Sequence, residues 1–369
     1  MKSRFYLLLS LLILLASCKK DIVVPAHPQP SQHTLLVYMG GDNNLSKETY
    51  DKLEALRNAV TATMGRLLVF QDAADGGARL LEIKYGKNGG EVTVLKSYGE
   101  VSSSAPSTFK LVLDDLVKQA PGVSYGLLYF SHGSGWLPER ALTQPFNFSS
   151  AAADHAVIDL ASVIPDHFFD YIVFESCFMS GIEVMYEFKD KTDYILSSSA
   201  EIVSPGFTEI YAQLLPLLYQ QEADLKSVAQ IYFNHYNEQT GFMRSATVSV
   251  TAMKALPALA NWVKQNVNSD LPADQVNNVQ HFDRFYGYRL FFDFEDYYQR
   301  RSPVESHMEL GLLLKNAVVF KSATPQFLKD YNGFDISAYS GLTSYIPQNG
   351  FGDLNTAYEK LKWSIACSN

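Results

Sequence analysis

The chain has 369 residues, of which 47 % are hydrophobic and 13 % aromatic, and it carries a formal net charge of -9. That apolar content can fill a large buried core, as one big α/β domain or two smaller ones. The negative balance, with no Lys/Arg-rich run after the first twenty residues, argues against a nucleic-acid partner, because phosphate binding needs a basic footprint.

The N-terminus reads as a targeting segment rather than as fold. Lys2 and Arg4 precede the apolar stretch Phe5–Ala16, which is too short for a membrane-spanning helix. Leu15-Ala16-Ser17-Cys18 resembles the lipobox of bacterial lipoproteins. The resemblance implies that Cys18 becomes the lipidated first residue of an exported, envelope-anchored chain; an ordinary signal peptide cut nearby is the alternative. Residues 19–33, with Pro25, Pro28 and Pro30, read as an extended tether.

From Thr34 the pattern becomes that of a folded domain. Thr34–Met39 is a strand, Gly40–Asn44 a turn, and Leu45–Thr61 a helix with Leu45, Leu53, Leu56 and Val60 on one face. With the strand Arg66–Gln71 this makes a parallel β–α–β unit. Leu80–Tyr85 and Glu91–Ser97 predict a hairpin, and Thr108–Gln119 a helix. Two continuous apolar runs follow, within Tyr125–Trp136 and Asp170–Ser180, and they read as strands buried on both faces. Between them Leu137–Ile158 reads as an irregular loop. Further helices are expected at Ile182–Asp190, Phe207–Leu218, Leu225–Asn237 and Leu256–Val267, and strands at Tyr194–Ser198 and Ala246–Thr251. Arg289–Asp296 and Leu342–Ile346 look like late strands or strand edges. The division expected is a core over residues 34–240 with an α+β part, 241–369, packed on it.

The two apolar runs end in small residues and one reactive side chain each, His132 and Cys177. Chemistry in open α/β sheets gathers at the carboxyl ends of parallel strands. If the strands are neighbours, imidazole and thiol share one crevice, as a Cys/His nucleophilic pair requires. The thiol needs a proton acceptor or a helix N-terminus to activate it; His132 and the helix beginning near Ser180 are the candidates. Gly133 and Cys177 offer backbone N–H groups for a developing oxyanion. Trp136 is either a wall of the cleft or core, and Asp42 either lines the cleft or serves as an Asx turn and helix cap. The other seven of the eight histidines lie in linker, loop or helix contexts without such a setting, and no residue pair has metal-finger or HExxH spacing. An odd set of three cysteines in an exported chain leaves Cys177 either reactive or buried and inert, and Cys367 as a free terminal thiol.

The segments LLVYMGGDNNL (Leu35–Leu45), YFSHGSGW (Tyr129–Trp136), FDYIVFESCFMSGIEVMYEFKDKTDYILSSS (Phe169–Ser199) and SGLTSYIP (Ser340–Pro347) resemble the clostripain family of cysteine peptidases, in that family's order and spacing. The resemblance implies a caspase-like α/β/α sandwich with a mostly parallel central sheet, His132 as general base and Cys177 as nucleophile. It also implies polypeptide substrates cut after a basic residue, chiefly arginine, with an acid two positions before the nucleophile lining that pocket. Here that acid is Glu175 rather than Asp, one methylene longer, and lysine preference stays open. Glu175 can equally cap a backbone donor or enter a salt bridge. Some members cut themselves between histidine and cysteine, which makes Arg140 a candidate processing site. No cofactor is called for; calcium stays open, although no EF-hand-type loop is present. The competing expectations are a non-catalytic surface binding lipoprotein on the same fold and a cysteine acyl transferase or transpeptidase.

Overall fold

A computed structural model describes residues 33–122, 124–137, 157–284 and 288–368. The apolar runs become the strands β1 (Thr34–Gly41), β2 (Arg66–Ala73), β3 (Ala78–Gly86), β4 (Gly89–Gly99), β5 (Tyr125–Phe130), β6 (Phe169–Glu175), β7 (Thr192–Ser197), β8 (Thr247–Ala252) and β9 (Val318–Ala323). They form one nine-stranded sheet in the order β9-β8-β7-β6-β5-β1-β2-β3-β4. The middle five strands, β7-β6-β5-β1-β2, are parallel, and an antiparallel pair extends each edge. The expected hairpin is the pair at one edge; β8 and β9, from the C-terminal third, complete the other.

Every residue of β1 is buried because helices cover both faces of the sheet. Its side chains alternate: Leu35, Val37 and Met39 enter one core, Leu36 and Tyr38 the other. The first core is closed by α1 (Ser46–Ala59), α5 (Tyr211–Leu218) and α6 (Leu225–Asn237). The second is closed by α2 (Pro106–Gln119), α3 (Val157–Val163), α4 (Ile182–Phe188), α7 (Leu256–Asn266), α8 (Phe294–Gln299), α9 (His307–Ala317), α10 (Gly352–Tyr358) and α11 (Lys362–Cys367). The architecture is therefore an α/β/α sandwich. Among the described residues no helix is long and apolar enough to cross a membrane.

Three expectations need correction. The tether stops short of His33, which is 6 % exposed and bonds Ser124 Oγ at 2.5 Å and Tyr171 Oη at 3.1 Å. Arg289–Asp296 is not a strand throughout. Only Phe292–Asp293 pairs, with Thr343–Ser344, and Asp293 then caps α8 by accepting from the Asp296 N–H at 3.0 Å. The inward residues of α1 are Thr49, Lys52, Leu56 and Ala59, with Leu45 and Leu53 only half-buried. A buried lysine is costly unless paired, and its partner lies in the functional site.

Candidate active site

β5 and β6 are parallel neighbours, and the last pair in their register is Phe130 opposite Glu175. His132 and Cys177 each follow two residues later, so the sheet delivers both to the same edge. The expected juxtaposition of strand ends is what the fold contains. Gly133 is needed here for space: a Cβ on it would lie 2.4 Å from the Cys177 carbonyl oxygen and 2.8 Å from its nitrogen. The two backbones therefore touch, and among the described residues neither the Gly133 nor the Cys177 N–H donates to another backbone carbonyl. Ser176 Oγ donates to the Ser131 carbonyl at 2.8 Å, tying the two segments together. Just after Cys177, Phe178 adopts φ 61°, a left-handed conformation that is a strained outlier for a bulky residue. Its N–H bonds the Ala200 carbonyl at 3.0 Å and its ring stacks on Phe291, which holds the turn.

His132 Nε2 meets Asn44 Oδ1 at 2.7 Å. With the amide oxygen accepting, the proton sits on Nε2 and Nδ1 carries the lone pair. Asn44 comes from the turn after β1, where Asn43 Oδ1 accepts from the Leu45 N–H at 2.8 Å and sets the entry to α1. Nothing in local spacing marks Asn44 as the partner of a histidine 88 residues away. Burial lowers the His132 pKa from its ordinary value, against a smaller raising effect of the Glu48 charge. Burial pushes the Cys177 thiol up to about 12, outweighing the N–H of Ile202 that donates to Sγ at 3.4 Å. Desolvation of the thiolate is the dominant influence. Both shifts favour the uncharged forms, a neutral imidazole and a protonated thiol.

The remaining sequence candidates separate. Glu175 is 2 % exposed and its oxygens are engaged within the chain. Oε1 accepts from Lys52 Nζ at 2.5 Å and the Phe207 N–H at 2.6 Å, and Oε2 accepts from Tyr211 Oη at 2.8 Å. Lys52 Nζ also reaches Glu48 at 3.3 Å, the Pro205 carbonyl at 3.1 Å and Thr208 Oγ1 at 3.0 Å, above the Phe130 ring. Gly206 has φ 63° and no room for a Cβ, which would lie 2.2 Å from Glu175 Oε1. The salt-bridge alternative describes Glu175 in this structure. Trp136, expected as wall or core, is core: it is 1 % exposed against Tyr345 and Tyr358. Asp42 is exposed at the end of β1, and the Asx turn there belongs to Asn43. Cys177 and Cys367 are both free thiols. Cys18 and Arg140 lie outside the described residues.

Sequence reasoning missed a second ion pair, Glu201 with Arg284, in which Oε2 accepts from Nε at 2.5 Å and Oε1 from Nη2 at 3.2 Å. Such a partly exposed pair contributes about 0–1 kcal/mol, whereas breaking a buried one by removing a partner costs about 3–5 kcal/mol. The SGLTSYIP segment also gains a place. Its Thr343 N–H bonds the Ser180 carbonyl at 3.0 Å, and Glu183 accepts from the Tyr345 N–H at 2.7 Å and Ser344 Oγ at 3.2 Å. Among the described residues no group of three or more His, Cys, Asp or Glu could hold a metal ion.

A family model described as the Clostripain family matches residues 37–347. No match was found among curated proteins. The chain is similar in structure to an inactive zymogen C11 protease from Parabacteroides distasonis, at 28 % identity and TM-score 0.83, covering 93 % of this chain and 100 % of that one. It shares its fold with a secreted C11 cysteine protease from Bacteroides thetaiotaomicron, at 23 % identity and TM-score 0.80, over 92 % of this chain and 99 % of that one. A structure of a secreted C11 cysteine protease from the same organism with an irreversible peptide inhibitor matches at 23 % identity and TM-score 0.77, over 91 % and 99 %. The chain belongs to the clostripain family and is a cysteine peptidase.

Proposed function

We propose that the chain is an endopeptidase of the cell envelope in which His132 and Cys177 are the catalytic dyad, cutting polypeptides after a basic residue. The observation that carries this reading is the delivery of both side chains to one edge by the in-register pair β5/β6, with Asn44 orienting the imidazole. His132 Nδ1 takes the Sγ proton as sulfur attacks the scissile carbonyl carbon, so a neutral imidazole and thiol become an imidazolium and an oxyanion with the net charge conserved. The carbonyl oxygen becomes an oxyanion facing the Gly133 and Cys177 N–H groups. The imidazolium then protonates the leaving amine. Water, deprotonated by the same nitrogen, hydrolyses the thioester and restores the thiol. The leader with Lys2, Arg4 and Cys18 supports the envelope location. A panel of peptides with Arg, Lys or neutral residues before the scissile bond tests the reading. Turnover is expected for basic peptides and not for Cys177→Ala; a wild type that turns over none of them, with Cys177 unlabelled by a thiol-directed inhibitor, would refute it.

The raised thiol favours a resting form, in line with the zymogen described for the Parabacteroides distasonis relative. Self-cleavage at Arg140 is the activation step we propose. Incubation of wild type beside Cys177→Ala should yield two fragments from wild type alone, and an intact wild-type chain with active-site turnover would remove this step.

A further inference from the structure

Two ion pairs flank the nucleophile, and they differ in what a substrate can reach. Lys52–Glu175 is sealed: its side chains are 0 % and 1 % exposed, and the ammonium has further partners in Glu48, Pro205 and Thr208. A substrate cation cannot use that carboxylate without expelling Lys52 from the core. Glu201–Arg284 is open, with side chains 31 % and 28 % exposed. Its place beside the nucleophile is fixed by backbone. The Ile202 N–H donates to Cys177 Sγ, and Glu201 is the residue before. Arg284 is held at the base of its loop, since Asp283 accepts from the Leu290 and Phe291 N–H groups and Asn332 Nδ2 donates to the Arg284 carbonyl.

We propose that Glu201 is the carboxylate that selects the basic residue of the substrate, and that Arg284 occupies it until a substrate arginine takes its place. The inference rests on the reading that this peptidase cuts after basic residues, and it moves the selecting group from Glu175 to Glu201. One guanidinium replaces another on the same two oxygens, so the carboxylate is never left bare. The displaced Arg284 is already partly hydrated, and the Tyr331 ring, 6.0 Å from its Cζ in the paired state, is a contact it can keep as it swings off the carboxylate. The two-point contact to Nε and Nη2 fits a planar fork better than a single ammonium, which selects arginine over lysine. Neutral side chains cannot displace Arg284.

The test uses matched peptides differing only in the residue before the cut bond: arginine, lysine or norleucine. In wild type, arginine is preferred over lysine and both over norleucine. Glu201→Gln should lower the arginine-to-norleucine ratio of kcat/KM at least about tenfold, about 1.4 kcal/mol. Arg284→Gln, on the partly exposed partner, should raise kcat/KM for arginine peptides several-fold through KM. An unchanged ratio in Glu201→Gln, or a ratio that collapses in Glu175→Gln instead, overturns the assignment. A wild type that cleaves peptides with no basic preference overturns the underlying reading as well, which separates the two failures.

Discussion

Glu175 and Glu183 stand before and after Cys177 in the chain, both buried, and the fold treats them in opposite ways. Glu175, at the end of β6, faces the α1/α5 layer and receives an ammonium, a backbone N–H and a phenol. Glu183, in the first turn of α4, faces the C-terminal segment and receives a hydroxyl and backbone N–H groups, with no ion-pair partner among the described residues. Without a cation, burial raises its pKa to about 7. The first flank is a charged lock between helix and strand; the second is a clasp whose strength depends on a proton.

Removing the cation tests the lock most severely. Lys52→Met leaves Glu175 buried without a counter-charge and should cost about 3–5 kcal/mol in denaturant unfolding. The double change Lys52→Met/Glu175→Met should recover much of the deficit. Equal destabilisation by the single and double variants would mean that the ion pair is not the source.

The clasp predicts the next largest effect, and its sign follows from the raised value. Folding favours the protonated Glu183, so its stabilising contribution is complete below about pH 4.5 and is lost as pH rises through about 7. Glu183→Gln stays neutral throughout. Relative to wild type it should therefore gain about 3 kcal/mol between those pH values. A difference that does not vary with pH would show that Glu183 titrates normally in the fold. The smallest effect belongs to Ser344→Ala, which removes one donor to this carboxyl and should cost about 1 kcal/mol at pH 8, less at pH 5. Unfolding curves at the two values give the comparison.

Much of this site was legible in the sequence because strands buried on both faces betray themselves as unbroken apolar runs. Two such runs, each ending in small residues and a reactive side chain, direct His132 and Cys177 to the same end of a parallel pair. What local patterning could not convey was pairing over distance. Lys52 looks like a solvated residue on an amphipathic helix, yet it turns inward because Glu175, 123 residues on, needs a cation there. Asn44 looks like turn chemistry, and Glu201 with Arg284 like two surface charges. β9 escaped notice since its exposed Lys321 and half-buried neighbours suit an edge strand that lacks a continuous apolar run. The extended reading of Arg289–Asp296 failed at Asp293, where capping a helix won over continuing a strand.

The buried His33 has a directional consequence. It sits at the amino ends of β1, β5 and β6, packed among Ser124 and Tyr171, while Cys177 emerges at the carboxyl ends of the same parallel set. Eight residues of β1 separate the two sides of the sheet, roughly 26 Å at the usual rise per residue. The described chain therefore enters the fold at the side of the sheet opposite the edge that carries Cys177. Entry strand and reactive edge thus face opposite ways, and an extended polypeptide can approach Cys177 without meeting His33.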